Sequence, residues 1–209
     1  MSWERLTVGP VQENTYVLWN KNKEGIIFDP GSEGKKIITL IEKRGVKPLA
    51  ILLTHAHFDH IGAVDEVREK WGIPVYIHKK EEDWLGDTSK NGSAHFMQRI
   101  VAKDADHLIT QEGELKIGSF TFKVFETPGH SPGSVSYYAA EEEVVFSGDA
   151  LFSGSIGRTD LYGGNHELLL KSIHDKLLNL PEETLVLSGH GPETSIGAEM
   201  DSNPFLSGF

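Results

Sequence analysis

Between positions 55 and 60 the chain places three imidazoles and a carboxylate, in the run Thr54-His55-Ala56-His57-Phe58-Asp59-His60. An apolar stretch, Leu49-Ala50-Ile51-Leu52-Leu53, comes before it, and Ile61-Gly62-Ala63-Val64 follows. Core packing has no use for four such groups at a strand exit. Neutral imidazole and carboxylate suit Zn, Fe or Mn. The plainer alternative is a polar loop that happens to be rich in His, and the spacing argues against it. His55 and His57 are two residues apart, so on an extended backbone they point to one side. Asp59 and His60 follow where the chain turns into a helix, and they face a second point nearby. One ion would be crowded by four ligands plus others from elsewhere, whereas two ions sharing the cluster would not.

The elements that must position these groups are legible. Residues 1–31 read as strands, with Asn14–Trp19 and Gly25–Phe28 the β-rich runs. Ser32 to Arg44 has a helical apolar stripe and Gly45 as its stop. Ile61 to Trp71 reads as one helix stopped by Gly72, and Ile73 to Ile77 as a strand. Lys79 to Leu85 reads as a short charged helix. Leu115–Ile117 and Phe120–Phe125 flank Gly118-Ser119, a hairpin signal. Ser134–Tyr138, Val144–Phe146 and Thr184–Leu187 are further strands, and His166 to Leu178 is an amphipathic helix. The alternation of strand and helix in the first half favours a layered α/β architecture.

Four apolar strands share one ending, a small or turn-forming residue and then His or Asp. The endings are Leu53-Thr54-His55, Pro128-Gly129-His130, Ser147-Gly148-Asp149 and Ser188-Gly189-His190. Taken singly, a Gly-His or Gly-Asp after a strand is a turn. Repeated behind the first cluster, they read as ligands delivered to one edge of the sheets. His55, His57 and His130 would hold one ion, Asp59, His60 and His190 the other, with Asp149 bridging. Asp29, at an earlier strand exit, is either a turn carboxylate or a group that orients a ligating His. The isolated His78, His95 and His107 read as surface or internally satisfied residues. Ser131, Ser147 and Ser188 read as turn residues rather than nucleophiles.

The 209 residues fit a single domain, 1–209, and 38% hydrophobic content suffices for a core. Cysteine is absent, which excludes disulfides, thiolate nucleophiles and Cys-held metals. A net charge of -11 argues against nucleic acid as a partner. No apolar run approaches the length of a membrane span, and Met1–Arg5 lacks a signal-peptide stretch. The expectation is a cytoplasmic protein with a small-molecule substrate and no membrane partner. Trp3, Trp84 and Phe205 read as exposed aromatics, at an interface or in ordinary packing.

Through Thr54-His55-Ala56-His57-Phe58-Asp59-His60, His130, Asp149 and His190 the chain resembles the metallo-β-lactamase superfamily. The resemblance spans nearly the whole chain. It implies an α/β fold, the four-layer αββα sandwich of two mixed β-sheets flanked by helices, with the metals at one edge. Asp29-Pro30-Gly31 matches the family's early Asp-Gly element near the site.

Within the superfamily the chain looks most like the small glyoxalase II-like (hydroxyacylglutathione hydrolase-like) hydrolases. That likeness lies in Pro128–Gly133, Gly148–Phe152, Gly157–Asp160 and Gly189–Pro192. It implies hydrolysis of a thioester, S-lactoylglutathione or an acyl ester of another small thiol. Two divalent ions would act, zinc foremost and iron or manganese otherwise, with Asp59 orienting the metal-bound hydroxide. Class B lactamases match less well, since many use a Cys ligand, and nuclease members add a basic surface and a further domain. Too few residues follow His190 for the glutathione-gripping helical domain of full-length glyoxalase II.

Arg158 matches a basic residue that contacts the thiol's carboxylate, and Asp160 stands where an aromatic is expected. A salt bridge between the two is the other reading of Arg158. Gly157-Arg158-Thr159-Asp160 also resembles the persulfide dioxygenases, which hold one iron on two His and one Asp, here His57, His130 and Asp149. A lactonase or other ester hydrolase is a variation on the hydrolase reading.

Overall fold

The computed structural model describes residues 1–96 and 98–208. The chain falls into two compact units, Met1–Thr110 and Gln111–Phe209. Each has its own mixed sheet and its own helices.

In the first unit, β1 (Ser2–Val8), β2 (Glu13–Trp19) and β3 (Glu24–Phe28) are antiparallel neighbours. Helix α1 (Gly34–Arg44) returns the chain to β4 (Lys47–Leu52), parallel to β3. Helices α2 (Phe58–Ile61) and α3 (Val64–Trp71) lead to β5 (Val75–His78). A 3-10 turn at Lys79–Trp84 follows, and β6 (His107–Ile109) extends the parallel series. The sheet order is β1-β2-β3-β4-β5-β6. Val17, Ile27, Ile51, Val75 and Ile77 form one apolar cluster with Ile37 and Ile41 of α1 and Val64 and Val67 of α3. Burying each such side chain stabilises by roughly 1.5–3 kcal/mol.

The helix expected over Ile61–Trp71 is two helices. The break has a tertiary cause. The amide of Ala63 donates to the carbonyl of Pro30 at 2.9 Å instead of continuing the α2 ladder. Gly62 lies so close to the preceding turn that a Cβ there would sit 2.4 Å from the carbonyl oxygen of Gly31. The stops expected at Gly45 and Gly72 are present, both with left-handed backbone.

The second unit holds β7 (Gly113–Ile117), β8 (Phe120–Glu126), β9 (Val135–Ala139) and β10 (Val144–Gly148). A small hairpin follows, β11 (Leu151–Phe152) with β12 (Ser155–Ile156). Helix α4 (His166–Ser172) continues through a π turn at Ile173–Leu177. Then come β13 (Leu185–Ser188), β14 (Thr194–Ser195) and α5 (Ile196–Ser202). The sheet order is β14-β13-β10-β9-β8-β7. Leu169, Ile173 and Leu177 of the α4 stretch cluster with Val145, Val186 and Ile196.

Strand direction decides where the chemistry emerges. β8 and β10 are each antiparallel to β9, and β13 is parallel to β10. All three therefore point the same way, and the segments after them open at one edge of the sheet. In the first unit the parallel pair β3 and β4 does the same, with Phe28 beside Leu52. Trp84 is a core residue, 2% exposed, rather than the surface aromatic expected. Its ring packs 5.6 Å from that of His57, a neighbour supplied by the fold. Phe205 is exposed and Trp3 half-buried.

Candidate metal centre

The first unit gathers Asp29, His55, His57, Asp59 and His60 where β3 and β4 end. Because those strands are parallel neighbours, Asp29 lands beside Thr54. One Asp29 oxygen, Oδ1, accepts the amide of Thr54 at 2.7 Å, and Oδ2 accepts its hydroxyl at 2.6 Å. Oδ2 also lies 2.9 Å from Nδ1 of His60, thirty-one positions away. Since the Thr54 hydroxyl proton goes to Asp29, a lone pair of that oxygen faces Nδ1 of His55 at 3.0 Å. Both rings thus carry their proton on Nδ1, which makes Nε2 the basic atom that could ligate a metal. Ligand atoms of Asp29, His55 and His60 lie within 4.8 Å of one another, and all three residues are buried. Asp29 thus contacts two imidazoles of the candidate site, one directly and one through Thr54.

The loop geometry follows the expected alternation. The His55 and His57 rings meet edge to face at 4.8 Å between centroids. Between them, the amide of Ala56 is held by the buried Glu81 carboxylate at 2.6 Å. His57 is the extended residue that precedes α2, and the helix turns Asp59 and His60 onward, with Asp59 Oδ2 3.6 Å from His60 Nε2. Gly31 makes this closeness possible. A Cβ there would fall 1.8 Å from the Asp59 carbonyl oxygen and 2.4 Å from a Glu13 carboxylate oxygen.

The second unit gathers His130, Asp149 and His190. Asp149 Oδ2 lies 3.4 Å from Nε2 of His130 and 3.4 Å from Nε2 of His190. The β10–β13 register places Gly148 beside Ser188, and the amide of Gly189 donates to the Gly148 carbonyl at 2.8 Å. That bond brings Asp149 and His190 out together. His130 Nδ1 lies 2.8 Å from the carbonyl oxygen of Arg158, so its proton is on Nδ1 and Nε2 is again the basic atom. Gly157 permits the approach, since a Cβ there would meet the Asp149 carbonyl oxygen at 1.8 Å.

The Arg158 side chain is exposed and forms a two-pronged pair with Asp160, at 2.7 and 2.8 Å. Its hydrogen bonds hold the Asp160 carboxyl down to about 2. Thus the Arg158 backbone, rather than its guanidinium, touches His130. The three serines engage their own turns. Ser131 bonds Ser134, Ser147 the Leu151 carbonyl, and Ser188 the His190 carbonyl. His78 accepts the Lys80 amide, His107 stacks on Tyr76, and His95 is exposed.

Two acidic residues escaped the sequence reading. Glu81 sits in the stretch that reads as a short charged helix, and Glu13 within the strand-rich residues 1–31, just before the run Asn14–Trp19. Both are fully buried. Glu13 accepts the Thr15 hydroxyl at 3.1 Å and lies 3.6 Å from His60 Nδ1. Burial pushes its carboxyl well above the usual range. Their only local signal is an acidic residue beside apolar ones, which is too common to mark a site.

Each unit thus presents imidazole Nε2 atoms and carboxylates, with no thiolate anywhere in the chain. That donor set is one for divalent metal ions. The fold and these groups define a known class. Residues 8–190 match the model of the metallo-beta-lactamase superfamily, and the chain belongs to that superfamily.

Within it the chain is a metallo-hydrolase with candidate metal-binding His/Asp groups. It is 61% identical to the "Probable metallo-hydrolase YqgX" of Bacillus subtilis (strain 168), over 100% of this chain and 99% of the relative. It is 37% identical to hydroxyacylglutathione hydrolase GloC of Haemophilus influenzae (strain ATCC 51907 / DSM 11121 / KW20 / Rd), over 99% of each. Among solved structures, that of BLEG-1 B3 metallo-beta-lactamase matches with a TM-score of 0.97 and 60% identity, covering 99% of this chain and 100% of that one. TTHA1623 in a di-iron-bound form matches at 0.87 and 42%, covering 97% and 100%. The expected fold class, two mixed sheets flanked by helices, is the one found. No helix among the described residues is long and apolar enough to cross a membrane.

Proposed function

We propose that this metallo-hydrolase cleaves thioesters, S-lactoylglutathione or an acyl ester of another low-molecular-weight thiol, using two divalent cations. Zinc is the first choice, and the same nitrogen and oxygen donors accept iron or manganese. The observation that carries the reading is the Asp149 carboxylate. One of its oxygens stands equally close to His130 Nε2 and His190 Nε2, which supports a carboxylate that two cations would share. In this reading His55, His57 and His130 hold one cation, Asp59, His60 and His190 the other, and Asp149 both. The likeness to the hydroxyacylglutathione hydrolase GloC supports a thioester as the substrate class.

Cations bound there supply Lewis acidity and lower the pKa of water towards about 7. The chain's own groups do the positioning. Asp29 and Thr54 keep the Nδ1 protons of His60 and His55 in place, and the Arg158 carbonyl does so for His130. Asp59 aims the attacking water and takes its proton. Arg158 has the fork geometry to hold a carboxylate of the thiol in exchange for Asp160. The serines near the site are engaged in turns, in keeping with attack by water rather than by a side chain.

The 60% identity to a B3 metallo-beta-lactamase favours β-lactam hydrolysis as a second reading. The test is elemental analysis of protein expressed without metal supplementation, then assays on thioesters, a lactone, a penicillin and glutathione persulfide with O2 monitored. About two ions per chain and thioester hydrolysis without O2 uptake are expected. One iron per chain with O2 consumption on the persulfide would overturn the proposal, and a penicillin cleaved far faster than any thioester would replace it with the second reading.

A further inference from the structure

A cavity of about 320 Å³ lies within the first unit. Val11, Phe58, Phe96 and Ile100 give it apolar walls. Ser32 and Gln98 add neutral polar groups, and Asp59 is the one ionisable residue among the described residues lining it. The Phe58 and Phe96 rings pack against each other with centroids 4.3 Å apart. Phe96 is 51% exposed and Val11 37%, so both rims of the cavity present apolar surface.

The wall carrying Val11 is anchored. Gly9, in the turn between β1 and β2, donates its amide to Glu33 at the start of α1, and the Gln12 amide closes that turn on the Gly9 carbonyl. The opposite wall is equally built. Ser93, beside Phe96, accepts the Ile100 amide and donates its hydroxyl to the Ile100 carbonyl.

We infer that this cavity receives the acyl chain of the substrate and selects an unbranched aliphatic acyl group over a short hydroxyacyl one. The inference rests on the thioester reading and narrows its substrate class. Three observations support it. The cavity borders Asp59, the residue assigned to aim the water, so a chain lying in it starts at the reacting carbonyl. Its walls have no cationic side chain among the described residues, so it has nothing to recognise a second carboxylate or phosphate. Its volume equals on the order of ten water-sized units of about 30 Å³ each. With incomplete filling, that accommodates a chain of about four to eight carbons.

The probe is sodium hexanoate, the free acid of a fitting acyl group, added to zinc-loaded protein carrying 13C-labelled Ile and Val methyls. Hexanoate shifts the Val11 and Ile100 methyl signals saturably, while acetate and lactate at the same concentration leave them in place. Val11→Trp, at an exposed turn position, fills the cavity and removes the Ile100 response. In parallel, kcat/KM is measured on N-acetylcysteamine thioesters from acetyl to octanoyl. It rises roughly fourfold per methylene, the factor that burying a CH2 group confers, until the cavity is full. Val11→Trp lowers the hexanoyl-to-acetyl ratio at least tenfold.

If hexanoate shifts neither methyl, the cavity is not an acyl site, whatever the enzyme hydrolyses. Thioester hydrolysis with a flat chain-length profile likewise overturns the inference and leaves the thioester reading standing. Saturable binding of hexanoate at these methyls, with no thioester cleaved, supports the acyl site and removes the thioester reading instead.

Discussion

Replacing Asp29 tests whether one buried carboxylate sets the chemistry of two candidate ligand imidazoles. Its oxygens accept the amide and hydroxyl of Thr54 and lie against His60 Nδ1. Asp29→Ala removes a charged acceptor from three donors, at about 1.5–3 kcal/mol for each such bond. The Asp29 backbone stands at a φ of 48°, in the left-handed region, which Asp adopts with the help of local side-chain hydrogen bonds that Ala lacks. The terms do not add fully, because two of the donors belong to Thr54. A loss near 5 kcal/mol would consume much of a typical stability of about 5–15 kcal/mol, so this variant folds poorly and tells little.

Asp29→Asn is the sharper test. Asn tolerates the left-handed backbone. Its carbonyl still accepts the Thr54 amide, but its NH2 now faces Thr54 Oγ1 and His60 Nδ1. To avoid two opposed donors, His60 moves its proton to Nε2, the atom that must bind metal. Thr54, now an acceptor from Asn, turns its hydroxyl proton towards His55 Nδ1 and pushes that ring the same way. The metal-free protein loses about 1–3 kcal/mol, one or two charge-assisted bonds, by urea denaturation after chelation. Metal affinity falls by about 10–100-fold for a disturbed ligand partner, measured by competition with a chromogenic chelator. Wild-type metal affinity in a folded Asp29→Asn protein would refute the tautomer argument and leave Asp29 a turn residue only.

Asp149→Ala removes the carboxylate standing between His130 and His190, and metal content measured by elemental analysis drops from about two ions per chain to one or fewer, with most activity lost. Gly31→Ala drives a methyl into the Asp59 carbonyl and the Glu13 carboxylate; a loss of about 3 kcal/mol or more is expected in denaturant, at or beyond the upper end of ordinary overpacking. Arg158→Gln raises the Asp160 carboxyl from about 2 back towards its ordinary value, read as the midpoint of its 13C titration. The sign follows from the lowered value: the native pair is fully present above the ordinary carboxylate range and is lost as pH falls towards 2. If Arg158 holds the thiol's carboxylate, the same variant raises KM on the true thioester more than it lowers kcat.

The ligand types and their order are local properties of the chain. An imidazole is a metal donor wherever it stands, and strands with their turn residues are written in short runs. The cluster at His55–His60, the strand ends before His130, Asp149 and His190, and the absence of thiolate could therefore be read directly. Tertiary structure decided what requires neighbours far apart in sequence. Asp29 reaches His60, and Glu81 holds Ala56, only because particular strands lie side by side. A backbone bond from Ala63 to Pro30 divides a segment whose apolar spacing alone reads as one helix. Glu13 is an ordinary strand residue until the sheet buries it behind His60. Side-chain type is carried by one residue, whereas the proton on an imidazole nitrogen is set by whatever the fold places beside it.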